Sequence, residues 1–427
     1  MLSSWLSDPS VLLAGVVLAT VQFVAALPWL WAIDQKGFKA AASSPASLAY
    51  ALLGLLVAGL GVAVFLGYKG DAANLTWYGR YVYGAILHLQ LIIAVFLLLP
   101  QLVMLVWPKG GVVAFAAFRE SCRQPMFWLI AGGAAVLIWV SVAIPYFTFG
   151  DDYKMMKQIG FDVVMLAATL FGVLAASMSI SEEIEGRTAV TLMSKPVNRR
   201  QFLIGKFVGI LMACLVMSML LNWTLTDALR AMREFDPINN AADPTDPLGA
   251  PTEKLVDPMT YQAQRTVVPP FQKAVPSIPG KAVARGAGLW FSDVVAHTLG
   301  TGLGFGQVMI LVAVASALAT RLAFVVNLVL CLLVFVLGHL APVVVQVTQQ
   351  AQGSGVGVGL VGFLGRLFDA LLPSLESFNM GRAIIRESPL DLWQFGVYVL
   401  TVTGYSAIYT TIALLFGLLL FEDRDLA

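Results

Sequence analysis

The residues best suited to binding chemistry lie at positions 181–206, where SEEIEGRTAVTLMSKPVNRRQFLIGK separates two apolar runs that carry no charge. Charged side chains are costly inside lipid, so this stretch, called the charged loop below, must lie in water. An excess of Lys and Arg in a short loop favours the cytoplasmic side. The loop holds three acids followed by five bases: Glu182, Glu183, Glu185, Arg187, Lys195, Arg199, Arg200 and Lys206.

The charged loop is long enough to contain a short helix. Residues 188–193 have the length for about one and a half turns before Pro196, and proline disfavours helix in the residue before it and cannot continue one. Lys195, Arg199 and Arg200 follow as a basic cluster beside the acids. This pattern predicts a docking surface for a soluble partner; the alternative is that the bases fix topology and bind anionic lipid headgroups.

Catalytic motifs are not visible in the sequence. The pairs Gly205-Lys206 and Gly280-Lys281 both lack the hydroxyl residue and the upstream glycine of a P-loop. No H-E-x-x-H or G-x-S-x-G occurs, and the three cysteines lie far apart, which indicates no metal site and no disulfide framework. The chain is therefore not expected to hydrolyse ATP, to act as an enzyme by itself or to hold a cofactor or metal.

Composition defines the setting of the charged loop. Of 427 residues, 59% are hydrophobic and 12% charged, whereas soluble domains carry about 25% charged residues. The composition predicts an all-α polytopic membrane protein. The net charge is +1 and the bases are dispersed rather than gathered in one stripe, so nothing indicates a nucleic-acid partner.

A helix needs about 20 apolar residues to cross about 30 Å of hydrocarbon, and the windows between successive charges predict nine such helices. If the charged loop is inside, alternation places the N-terminus outside and the tail 422–427 in the cytoplasm. The predicted spans are residues 9–33, 40–68, 81–108, 124–150, 163–181, 207–226, 294–320, 322–345 and 392–421.

Three segments between the spans have patterns of their own. Residues 112–123 place Arg119, Glu120 and Arg123 opposite Phe115, Phe118 and Cys122, a pattern typical of a helix lying along the inner membrane surface. Residues 227–293 form an outside segment; its first part, to residue 235, could prolong the sixth span as a helix. The nine prolines between 237 and 279 predict that the rest is irregular, as a linker or a loosely ordered cap.

The outside segment 352–391 contains an amphipathic stretch at residues 360–372. Gly362, Gly365, Arg366 and Asp369 share a narrow polar arc opposite the large apolar side chains. The pattern predicts a helix in the outer interface or one that re-enters the outer leaflet; a lid packed on the bundle fits it equally well.

Ionisable residues are scarce inside the predicted spans. No Asp or Glu falls within the nine windows, and ion-coupled carriers generally need such groups in mid-membrane. This pattern disfavours proton or sodium coupling. The few polar side chains in the spans, such as Asn222 and Asn327, are expected to form interhelical hydrogen bonds.

The residue order of the charged loop resembles the cytoplasmic loop of type-2 ABC transporter permeases. In that family an acid pair precedes Gly and Thr, then a Leu-x-Ser-x-Pro-Val turn, an Arg and a closing Gly-Lys. This sequence departs at Asn198, where Ser is usual, and at Arg187, which separates Gly186 from Thr188. The matching residues are Glu183, Glu185, Gly186, Thr188, Leu192, Ser194, Pro196, Val197, Arg199, Gly205 and Lys206.

The resemblance implies an organisation and a role. An elbow helix at 109–125 would open a six-span core at 126–421, with the coupling loop at 182–206, after a three-span N-terminal extension at 1–108. Two copies of a separate ATPase subunit, holding ATP and Mg, would work with a pair of permease subunits and dock on the charged loop. The setting would be the bacterial inner membrane, in contact with its lipid, and the activity mostly export. The alternative is a membrane anchor or assembly protein that recruits a partner without transport.

Overall fold

The computed structural model describes residues 8–68, 71–144, 152–185, 198–235, 258–350, 356–379 and 391–422, and this part of the chain is all-helical. Its helices, in chain order, are α1 (Pro9–Ile33), α2 (Gln35–Ser43), α3 (Pro45–Tyr68), α4 (Ala72–Val106), α5 (Pro108–Arg123), α6 (Pro125–Val142), α7 (Asp152–Glu185), α8 (Arg199–Phe235), α9 (Pro258–Ala274), α10 (Ile278–Leu318), α11 (Phe324–Gln350), α12 (Val356–Leu371) and α13 (Leu392–Glu422).

Local sequence explains where the first helices begin. The Asp8 carboxylate accepts a hydrogen bond from the Ser10 amide, and Pro9 occupies the first turn of α1, where its missing N–H costs nothing. Asp34 ends α1 in an extended conformation and caps α2 by accepting from the Lys36 and Gly37 amides. An aspartate therefore separates the first span from a short surface helix.

Nine of these helices are long and apolar enough to cross a membrane: α1, α3, α4, α6, α7, α8, α10, α11 and α13. The nine-span prediction is thus confirmed for the described residues. Three of the spans form the centre of the bundle, because 72%, 67% and 72% of the apolar windows of α7, α8 and α10 are buried, against 11–28% in the other six. The six peripheral spans expose large apolar side chains, which suits contact with lipid.

The prediction of irregular structure across the proline-rich segment was wrong for its second half. Residues 258–274 form α9 with Pro269 and Pro270 inside it, whereas α8 extends to residue 235 as expected. Each of those prolines removes a backbone donor, but α9 packs closely on α10. A Cβ built on Gly288 would lie 3.0 Å from the Val268 Cα, and the rings of Phe271 and Phe291 stack at 5.5 Å. Tertiary packing therefore offsets the local cost.

The seventh span is much longer than its predicted window. Helix α10 begins at Ile278, with Pro279 in its first turn and Ser277 as its cap, and not near residue 294. Asp293 consequently lies within a helix and is buried, so the predicted window does not mark the start of this helix. The predicted window began after Asp293 because it was drawn between charges, whereas Asp293 has a partner in α4, described below.

Helix α12 confirms the amphipathic helix predicted from residue 360. Gly365 faces α11, where an added Cβ would lie 3.0 Å from the Val344 side chain. Leu360, Phe363 and Leu364 are exposed on the opposite side. A lid packed on the bundle through its apolar face would bury these side chains, so the arrangement favours the interfacial or re-entrant alternatives.

Candidate interaction surface

The two helices that flank the charged loop are joined by Lys206. Its ammonium group lies 2.6 Å from Glu183 Oε1 of α7, 3.0 Å from Glu120 Oε2 of α5 and 2.8 Å from Ser179 Oγ. The Lys206 side chain is only 5% exposed, against 23% for Glu183 and 44% for Glu120. A buried ammonium is costly unless it is paired, so three donated hydrogen bonds fix the positions of α5, α7 and α8 relative to one another.

Glycines bring α5 and α8 into direct contact beside this ion pair. A Cβ built on Gly205 would lie 2.8 Å from the Val113 side chain, and one on Gly209 would lie 2.4 Å from the Ala114 carbonyl oxygen. Only glycine fits at such a close approach. The predicted elbow helix is therefore held against the start of α8 by its small residues, while Arg119 and Arg123 remain exposed.

The last helix ends against the same region. Arg199 Nη1, at the start of α8, donates to the Phe421 and Glu422 carbonyls at 2.6 and 2.7 Å, and its guanidinium lies over the Phe421 ring. Arg321 Nε donates to the Leu420 carbonyl at 2.7 Å. Carbonyls at a helix C-terminus lack partners within the helix, and cations there also complement the helix dipole. Two arginines thus bind the carbonyls at the C-terminus of α13 and hold this end in place.

The end of α7 also contacts α10 and the turn that follows it. Ser181 Oγ donates toward the Leu322 carbonyl at 3.2 Å. Behind this contact lies an apolar cluster in which Phe202 and Phe421 are fully buried. The ends of α5, α7, α10 and α13 and the start of α8 therefore meet at one end of the bundle, called the charged-loop end below.

The structure shows different surroundings for the predicted loop residues that it describes. Glu183, Arg199, Gly205 and Lys206 take part in contacts between helices. Glu182 and Arg200 are exposed, one on each flank of the loop. Glu185 is the last residue of α7, and Gly186, Thr188, Leu192, Ser194 and Pro196 lie outside the described residues.

Sequence reasoning did not identify the partners of Lys206 and Arg199. Glu120 was recognised only as part of the polar side of the elbow helix, and Ser179 and the carbonyls that end α13 carry no distinctive local signal. Of the two interhelical bonds expected, that of Asn327 is present, since its Nδ2 donates to Ser177 Oγ and to the Ala315 carbonyl at 2.9 Å. That of Asn222 is not observed among the described residues, where its Oδ1 is buried and accepts no hydrogen bond. Among the described residues, no three His, Cys, Asp or Glu side chains are grouped as a metal site.

This arrangement defines a polytopic α-helical membrane protein whose helices converge on one polar loop. Residues 122–241 match the model of the protein family described as "ABC-2 family transporter protein", and the match includes the whole charged loop with α6–α8. The resemblance expected from residues 181–206 is thus confirmed, because the matched segment is similar to ABC-2 family transporter proteins. The match does not extend to the first three spans. No curated protein matches the chain.

Proposed function

We propose that this chain is the permease subunit of an ABC exporter, driven by a separate ATPase subunit that docks on the charged loop from the cytoplasm. The ATPase would hold ATP and Mg, and two permease subunits would form the transport unit in a bacterial inner membrane. The family match supports a transporter membrane protein, and that family generally works with an ATPase partner. The N-terminus would then lie outside and the C-terminus in the cytoplasm.

The observation that carries the proposal is the anchoring of both flanks of the loop. Lys206 joins α8 to α5 and α7, and Arg199 joins α8 to the end of α13. A force applied to the loop would therefore reach several helices at once, since the contacts of Lys206 and Arg199 are direct and partly buried. A simple recruiting anchor has no need of such connections, which favours mechanical coupling over the anchor alternative.

The exposed residues provide a selective test of docking. Arg200→Glu reverses a charge on the exposed flank of the loop, and like charges placed across an interface cost several kcal/mol. We expect at least about a tenfold loss of co-purified ATPase while the chain remains folded. Lys36→Glu is the matched control, because Lys36 is also exposed but lies on α2. Glu183→Lys is a poor test, since it would also break the internal contact with Lys206.

Two results would oppose the proposal. One is unchanged recovery of the ATPase with both Arg200→Glu and a deletion of residues 190–196. The other is reaction of a cysteine introduced at Pro196 with a membrane-impermeant reagent added to the exterior, which would place the loop on the wrong side. An ATPase that binds but gives no nucleotide-dependent transport in proteoliposomes would favour the anchor alternative.

A further inference from the structure

A second buried ion pair lies far from the charged loop and joins two spans that are distant in sequence. Arg80 Nη2 of α4 donates to Asp293 Oδ2 of α10 at 2.6 Å, and the two side chains are 11% and 8% exposed. Charged side chains are almost never buried unless they are paired, so a buried pair between distant helices needs an explanation. Neither the family match, which begins at residue 122, nor the proposed docking assigns a role to this pair.

The helices around the pair are in backbone contact. A Cβ built on Gly79 would lie 2.2 Å from the Val283 carbonyl oxygen, and one on Gly286 would lie 2.1 Å from the Thr76 carbonyl oxygen. There is no room between α4 and α10 for any side chain at this crossing. Such an interface is suited to a permanent joint and not to a gate, which would have to separate and close again.

The joint also includes the first span. Gln22 Nε2 of α1 donates to the Tyr83 carbonyl at 3.0 Å, and the Tyr83 hydroxyl donates to the Leu18 carbonyl at 2.9 Å. Residues 79–84 of α4 are wound as a π-helix, a rare form that often occurs at functional sites. Ala14 of α1 lies against Gly280, near the start of α10. The first half of α10 is thus embedded among the N-terminal spans.

The second half of α10 belongs to the centre of the bundle. Gly304 contacts Met165 of α7, and Gly306 contacts Ser406 of α13. A continuous helix of 41 residues extends about 60 Å, roughly twice the hydrocarbon thickness. Helix α10 therefore connects the N-terminal spans to the helices that meet at the charged-loop end.

We propose that Arg80 and Asp293 couple the first three spans to α10, so that these spans move with α10 as one body and are a working part of the permease. The inference rests on the proposed function, because a moving body implies a transport cycle. Arg80 and Asp293 are positioning residues: the pair holds two helices in register, and its charges neutralise each other instead of binding a transported ion.

The first experiment uses the full chain alone in lipid nanodiscs. Arg80→Met or Asp293→Leu removes one member of the pair while the other charge stays buried, and we expect the unfolding midpoint to fall by roughly 3–10 °C. The double variant Arg80→Met/Asp293→Leu removes both charges and should recover most of that loss, since buried ion pairs can often be replaced by apolar residues. Single variants as stable as the wild type would overturn the proposal that this pair holds α4 and α10 together.

The second experiment measures nucleotide-stimulated turnover with the ATPase partner. The double variant should keep turnover within about twofold of the wild type, as expected for a replaceable pair. A double variant that is stable but inactive would show that the charges act in transport, and this would overturn the proposal in favour of ion coupling.

The third experiment follows the joint during the cycle. Ala73 and Lys281 are exposed near the starts of α4 and α10, and spin labels on cysteines there report the distance between the helices. A narrow distance distribution that is the same with and without ATP is expected; a broad or ATP-dependent one would overturn the joint. The unfolding measurements of the first experiment need no ATPase partner. They therefore still test the Arg80–Asp293 contact if the proposed docking itself fails.

Discussion

The contact of Lys206 with Glu183 gives the most quantitative prediction. Lys206→Met keeps most of the apolar stem but removes the ammonium group, leaving two carboxylates without their shared partner. A hydrogen bond to a charged group contributes about 1.5–3 kcal/mol, which applies to Glu183 because its side chain is only 23% exposed. Glu120 is 44% exposed, so its loss adds about 0–1 kcal/mol. We expect a total destabilisation of about 1.5–4 kcal/mol.

The assay is denaturant unfolding of the purified chain in detergent micelles, followed by tryptophan fluorescence. A double-mutant cycle with Glu183→Gln should give a coupling energy of about 1.5–3 kcal/mol. Arg200→Met is the control, because an exposed substitution away from such contacts stays within about 0.5 kcal/mol. A coupling energy below about 0.5 kcal/mol would refute the reasoning, because the buried contact would then contribute no more than a surface pair.

Three further predictions follow from the packing. Gly209→Ala should destabilise the chain by about 1–3 kcal/mol, because its Cβ would meet the α5 backbone, whereas Gly132→Ala, with open space around it, should be neutral or slightly stabilising in the same unfolding assay. Arg199→Gln should leave the end of α13 without part of its cap, so hydrogen exchange of the amides at 418–422 should accelerate relative to the wild type; equal rates would contradict the capping role. Burial raises the pKa of the Cys122 thiol to about 12, so at pH 7–8 it stays protonated and should react with maleimide much more slowly in the folded chain than after denaturation; equally rapid labelling of the folded and denatured chains at pH 7 would contradict this.

The spans could be predicted from the sequence because the requirement that defines them is local. A bilayer demands a certain length of apolar helix, and that length can be counted between charges. The same counting failed at the start of α10, where Asp293 was interpreted as lying in water and therefore as the limit of the apolar helix. Its partner Arg80 is 213 residues away along the chain, and no local pattern pairs them.

The proline-rich segment failed for a related reason. Proline's effect on an isolated helix is local and was read correctly, but helix stability in proteins comes mostly from packing of one face. Pro269 and Pro270 lie in a helix that packs along α10. The aromatic contact between Phe271 and Phe291 that accompanies this packing cannot be deduced from either residue alone.

The candidate site was predictable in part. The charges of the loop indicated the region, and the order of its residues indicated a resemblance to a family. From the sequence alone, however, Lys206 and Arg200 could not be distinguished, and both were predicted to be basic residues of one surface. The structure separates them, because Lys206 lies one and a half turns farther into α8 and faces α5 and α7, while Arg200 is exposed. Whether a base on a helix faces a partner or its own bundle depends on neighbours that the sequence does not reveal.

Helix α10 links the two polar networks, one near its C-terminal end and the other nearer its middle at Asp293, and this placement separates the proposed docking site from the proposed coupling of the N-terminal spans. Near the end of α10, Ser181 and the Phe202–Phe421 cluster connect it to the charged loop; roughly 40 Å away along the helix, Asp293 connects it to the N-terminal spans. A helix packed on both sides resists bending, so under the proposed function a displacement at the charged-loop end would also move the segment around Asp293. Loss of Arg200 should therefore weaken partner binding without changing stability, whereas loss of Arg80 should lower turnover and stability without changing partner binding.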